Sequence, residues 1–149
     1  MRRTRLGFSL IELIIALLIG SILTSIALTG YGNVQGRFAV RGARSTFATM
    51  HARARAQAIE KGATVRLVVS VAGDSVYLLT GTTTLENIRF DEEFHVDLRS
   101  SGGDFTLCMN SRGYADTACN SFSSPPQLYF YQNADSVSAT VLPLGQLVY

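Results

Sequence analysis

Charge, cysteine and proline are all scarce in this chain. Charged residues make up 16% of 149, against 47% hydrophobic, and mean hydropathy is +0.21. That balance excludes a disordered chain, and the length excludes a large multidomain enzyme. Two cysteines permit one disulfide at most. There is no Cys-x-x-Cys pair, no His-Glu-x-x-His helix and no phosphate-binding glycine loop. No serine sits in a Gly-x-Ser-x-Gly elbow. Nothing argues for catalysis, so the expectation is a non-enzyme with no cofactor and no metal. Internal repeats are also lacking. The net charge of +2 includes Arg2, Arg3 and Arg5, and without them the remainder turns slightly negative. Basicity is therefore no argument for nucleic acid.

The apolar residues are clustered instead. From Phe8 to Thr29 the one ionisable side chain is Glu12, and no proline interrupts the run. As a helix it reaches roughly 33 Å, enough for a hydrocarbon core of about 30 Å. A single such run excludes a polytopic membrane protein. An ordinary secretory signal has a shorter apolar stretch and an Ala-x-Ala cut site, neither of which is found here. The unusual part is the front, Arg5-Leu6-Gly7-Phe8-Ser9-Leu10-Ile11-Glu12-Leu13. Gly7 leaves the backbone open to a protease, and a cut there would keep the whole helix with Phe8 as its first residue. A carboxylate at bilayer depth costs about 2.5–3.5 kcal/mol when unpaired. Glu12 either reaches headgroup water or pairs with a cation, and the Phe8 amine of a neighbouring subunit is one source.

These residues resemble the class III leader and first helix of type IV pilins and type II secretion pseudopilins. The resemblance implies that a prepilin peptidase cuts between Gly7 and Phe8 and that the new Phe8 amine is methylated. It also implies that Glu12 supports subunit assembly and that the N-terminus is cytoplasmic. Charge alone leaves the orientation open, because three arginines precede the run and three more, Arg37, Arg41 and Arg44, follow it closely.

Past the run, Val40, Ala43, Phe47, Met50, Ala54 and Ala58 recur at spacings of three and four, predicting one apolar stripe on a helix that ends near Lys61-Gly62. Arg37, Arg41, Arg44, His51 and Arg55 share another face. That face is a solvated or acid-paired surface, a nucleic-acid or anionic-lipid contact, or a contact with a neighbour's acidic loop. After Gly62 the period falls to two. Val65, Leu67, Val69 and Val71 predict a strand, turned at Ala72-Gly73-Asp74 into Val76–Leu79. Further strands are expected at Ile88–Phe90, Phe94–Leu98, Phe105–Met109, Leu128–Tyr131, Val137–Leu142 and Gln146–Tyr149.

The fold expected is α+β. A long N-terminal helix, transmembrane and then amphipathic, packs on a C-terminal antiparallel β domain of pilin type with two small sheets. The parts are a leader at 1–7, a transmembrane and filament-core helix at 8–30, an amphipathic half at 31–62 and a periplasmic β domain at 63–149. The β region resembles the GspH/FimT branch of minor pilins, through the helix-to-hairpin order, the Phe105–Gly113 stretch ending Asn110-Ser111-Arg112-Gly113, and a last strand led by Gly145. DNA-binding members of that branch carry Gly-Arg-x-Arg near the C-terminus. This chain has Gly145-Gln146-Leu147-Val148 instead.

Cys108 and Cys119 enclose a short loop whose closure contributes slightly under about 3 kcal/mol in the chain-entropy model. A metal would want further Cys or His nearby, so a disulfide formed after export is expected. His95 and Asp97, two apart on an expected strand, read as a polar sheet face. Asp91-Glu92-Glu93 lacks the spacing of a calcium loop and reads as a solvated turn.

The resemblance implies a structural minor subunit of a type II secretion pseudopilus or a type IV pilus. It would sit in the inner membrane with a periplasmic C-terminal domain and then in the assembled filament. Its partners would be other pilin or pseudopilin subunits, the prepilin peptidase and the inner-membrane assembly platform, with no nucleic acid. The alternative is a FimT-like minor pilin that binds DNA through Arg37, Arg41, Arg44 or Arg55.

Overall fold

A computed structural model describes residues 9–149, with side chains described at 9–26 and 34–149. Gly7 and Phe8, and the rest of the expected leader, lie outside the described residues. The elements run α1 (Leu10–Lys61), β1 (Val65–Ser70), β2 (Ser75–Thr80), β3 (Thr83–Arg89), α2 (Phe90–Phe94), β4 (Asp97–Ser100), β5 (Phe105–Met109), β6 (Gln127–Gln132), β7 (Asp135–Val141) and β8 (Leu147–Val148). The chain divides into two compact units, one ending at Gln35 and the other running from Gly36 to Tyr149.

In the first unit α1 is apolar on every side, with exposure from 44% at Ile14 to 78% at Leu10. The apolar stretch Leu10–Ile26 is roughly 26 Å long at about 1.5 Å per residue. Among the described residues, no helix is long and apolar enough to cross a membrane. The expected span, Phe8–Thr29, runs past the described side chains at both ends.

In the second unit the predicted stripe is the buried face of α1: Val40, Ala43, Phe47, Met50, Ala54 and Ala58 are all inaccessible or nearly so. The helix ends where Gly62 turns left-handed at φ 59°. Gly62 N–H then donates to Ile59 and Ala63 N–H to Ala58, so carbonyls of the last turn keep partners.

Two four-stranded antiparallel sheets follow, ordered β3-β2-β1-β5 and β4-β6-β7-β8. In β1 the alternation puts Val65, Leu67 and Val69 inside, as the period of two requires. Phe47 of α1, Phe90 of α2 and Phe130 of β6 meet at centroid separations of 5.8–5.9 Å and tie the helix to the second sheet. This is the α+β arrangement expected.

Local expectations are corrected between β3 and β4. Phe90–Phe94 is a helical turn, so the strands expected at Ile88–Phe90 and Phe94–Leu98 hold only at Ile88 and Arg89, in β3, and at Asp97 and Leu98, in β4. Its two phenylalanines, four apart, face inward and stack at 5.9 Å, while Glu92 and Glu93 stay exposed and Asp91 is half-buried. His95 then caps the turn with a left-handed backbone at φ 55°, so it shares no strand face with Asp97. The acidic triplet, expected as a solvated turn, is a turn of helix with Glu92 and Glu93 exposed.

Candidate assembly site

Glu12 lies in the first turn of α1, where the positive end of the helix dipole favours a carboxylate. The Ser9 carbonyl opens the helix by accepting the N–H groups of Glu12 and Leu13, at 3.1 and 3.2 Å. No ion pair reaches Glu12 among the described residues. The hydroxyls further along turn back on their own helix. Ser21 donates to the Leu18 carbonyl and Thr24 to the Gly20 carbonyl, each at 2.8 Å. Their donors thereby find acceptors within the helix and need no water. What stands out is one carboxylate on an otherwise greasy cylinder.

The basic face of the second unit is not an open stripe. Arg37 Nε sits 3.4 Å from Asp135, at the start of β7, where Gly36 leaves no side chain between the helix and that carboxylate. Arg44 lies over the Tyr149 ring, 5.0 Å from its centroid. Arg55 donates to the Gly145 carbonyl at 2.8 Å. Arg41 stays exposed and has no ion pair among the described residues. The spacing placed these residues on one face correctly. What that face meets, the C-terminal sheet of the same chain, is non-local and has no signal in the spacing.

Cys108 and Cys119 are joined, with Cα atoms 5.8 Å apart. The loop between them is built on Asn110, whose side-chain oxygen accepts from the N–H groups of Arg112 and Tyr114 at 3.0 and 3.1 Å. Cys108 N–H donates to the Asn120 side chain at 2.9 Å, and Asn120 in turn donates to the Pro143 carbonyl at 3.2 Å. Among the described residues no group of His, Cys, Asp or Glu is spaced to hold a metal.

Comparison with known proteins bears on both units. Residues 2–28 match the model of the prokaryotic N-terminal methylation motif. No curated protein matches. Two crystal forms of the type IV minor pilin FimU of Pseudomonas aeruginosa share the fold. One aligns with a TM-score of 0.55 at 11% identity, covering 73% of this chain and 86% of FimU. The other aligns at 0.53 and 12%, covering 72% and 90%. The chain thus carries the N-terminal methylation motif at its front and has the fold of a type IV minor pilin.

Sequence reasoning missed one site. His51 was grouped with the arginines of a surface face, but it is only 7% exposed. Its Nε2 has no hydrogen-bond partner. Burial away from water lowers its pKa, the nearby Arg55 charge lowers it further, and a backbone hydrogen bond at Gly145 opposes both. The missing signal was the turn at Gly145 itself. Its φ is +79°, and an added Cβ would come within 2.9 Å of the Ala115 Cβ. The turn closes tightly onto the disulfide loop, and α1 supplies His51 and Arg55 beneath it.

Proposed function

We propose that this chain is a structural minor pilin or pseudopilin, a subunit of a type II secretion pseudopilus or a type IV pilus. Prepilin peptidase cuts it between Gly7 and Phe8, the Phe8 amine is methylated, and the first half of α1 enters the filament core from the inner membrane. Other pilin subunits and the assembly platform are its partners, and the domain from residue 63 onward lies on the periplasmic side. The GspH/FimT branch is the subtype that its C-terminal pattern favours.

One observation carries this reading. A helix exposed and apolar all round has no stable place in water, and its only charge is a carboxylate one turn from the expected new amine. A stack of such helices buries the apolar surface and gives each Glu12 a cation. The engagement of Arg37, Arg44 and Arg55 within their own domain supports a structural role over capture of DNA.

Mass spectrometry of the mature chain from its host tests the reading. The expected N-terminal residue is Phe8 carrying one added methyl group. An intact Met1, or a cut beyond the apolar run, overturns it.

A further inference from the structure

The two flanks of the second unit carry opposite charge, and each has one group left over. The buried stripe Val40–Ala43–Phe47 separates the flanks. On a helix of 3.6 residues per turn, Arg37, Arg41 and Arg44 fall to one side of that stripe, with Asp135 and Tyr149. Gly42, Thr46 and Arg53 fall to the other. There a Cβ on Gly42 would lie 3.4 Å from the Phe94 ring, and Arg53 pairs with Glu86 at 2.7 Å. That side continues into α2 and its three carboxylates. Most of these charges have partners in their own chain. Arg37 has Asp135, Arg44 has the Tyr149 ring, Arg53 has Glu86, and Arg89 holds both Asp91 and Glu92. Among the described residues of the two flanks, Arg41 and Glu93 are left with neither an ion pair nor a ring contact, and both are exposed.

Their settings are complementary as well as their signs. Arg41 stands where two clefts meet. One, of about 250 Å³, is lined by Arg37, Asp135 and Ser136, and the other, of about 170 Å³, by Arg44, Ser45 and Tyr149. Glu93 projects from a helical turn anchored by the fully buried Phe90. We infer that a second copy of this chain docks its α2 on this flank, placing Glu93 against Arg41. A guanidinium left unpaired suits a carboxylate, which it binds through two parallel N–H donors. Because the two groups lie on opposite flanks of one domain, the contact is head-to-tail. Every added copy presents a fresh Arg41 or Glu93, so it builds an open row and not a closed dimer. The inference rests on the pilin reading and names the partner surface. An exposed pair of this kind sets register between domains, while the helices supply the main adhesion.

The test uses the full-length chain in membranes of the producing cell, with Ser45→Cys and Glu92→Cys as bismaleimide cross-linking positions beside the two charges. Covalent dimers and higher multiples are expected. Arg41→Glu or Glu93→Arg alone should cut their yield roughly fivefold, and the double reversal should restore it to within about twofold. Unchanged yield in the single reversals, or no recovery in the double, overturns the inference. The mature N-terminus, read from the same samples, keeps the two readings apart. A chain cut at Phe8 with indifferent cross-linking rejects only the flank contact, whereas an uncut chain with charge-dependent cross-linking rejects only the pilin reading.

Discussion

The Arg55 guanidinium donates to the Gly145 carbonyl at 2.8 Å, joining the helix to a turn 90 residues later in the chain. That turn has no room for a side chain. At φ +79° an added Cβ would sit 2.9 Å from the Ala115 Cβ, 3.2 Å from the Ala115 nitrogen and 3.2 Å from the Met109 methyl. Left-handed backbone alone costs a non-glycine residue about 1–2 kcal/mol. Gly145→Ala should therefore destabilise the domain by at least about 2 kcal/mol, lowering its melting midpoint by roughly 6–10 °C. Arg55→Ala should cost about 1–2 kcal/mol, since it leaves the carbonyl without its charged donor. Near-UV circular dichroism of the purified full chain in detergent reads both through the tyrosines. A Gly145→Ala midpoint within 2 °C of the parent, on the order of 1 kcal/mol or less, would show that the turn is not closed onto Ala115.

The disulfide adds a covalent closure beside that turn. Cys108 is fully buried on β5, and the loop it closes carries the Asn110 turn and the bridge from Met109 to Ala115. Replacing both cysteines by alanine should cost slightly under about 3 kcal/mol by loss of the constraint on the unfolded chain. Local opening should rise more than that figure conveys, because the Asn120 acceptor for Cys108 N–H depends on the closed loop. Hydrogen exchange of residues 110–120 in the double variant, compared with β1 as an internal reference, measures it. Equal protection factors in the two proteins would count against the closure.

How far the sequence was legible follows from which of its patterns were local. The stripe from Val40 to Ala58 could be read because helical periodicity repeats over many residues, and every member is buried. The Val65–Val69 alternation was legible for the same reason. At Phe90–Phe94 two periodicities overlapped. Phe94, Val96 and Leu98 alternate as a strand would, while Phe90 and Phe94 stand one helical turn apart. Packing of both rings into the Phe130 cluster settled it as a helix. The basic face was legible as a face, but its partners Asp135, Gly145 and Tyr149 come from the far end of the chain. No spacing rule reaches them. The N-terminal motif was the most legible feature, since residue type, spacing and an uninterrupted apolar run coincide there.

His51 gives the domain a predictable acid sensitivity. Its pKa in the folded chain lies below the ordinary histidine value of about 6.5, because burial and the Arg55 charge both disfavour the imidazolium. The unfolded chain therefore binds the proton first. Stability is unaffected above that ordinary value and falls as pH drops below it, until the folded form is protonated too. Between pH 7.5 and 5.5 the melting midpoint of the parent should decline more steeply than that of His51→Gln. Parallel slopes in the two proteins would remove His51 as the cause. Below pH 5 the carboxylates begin to titrate and the comparison loses its meaning.

Glu12 sets the sharpest test, because insertion and assembly should respond to it in opposite directions. In a lone helix the carboxylate is a burden: an ionised group at bilayer depth costs about 2.5–3.5 kcal/mol. Glu12→Leu removes that cost, and membrane retention of the unassembled chain should hold or improve. In the filament the same carboxylate is the proposed partner of a neighbour's amine, and leucine leaves that cation unpaired in a low-dielectric core. Truncating one member of a buried pair typically costs about 3–5 kcal/mol. Incorporation into sheared or pelleted filaments, normalised to the membrane pool by immunoblot, should therefore fall at least about tenfold. Glu12→Gln, which keeps the shape and loses the charge, should fall nearly as far. If both variants assemble like the parent while remaining correctly cut at Phe8, charge pairing plays no part in recruitment, and burial of apolar helix surface alone must drive it.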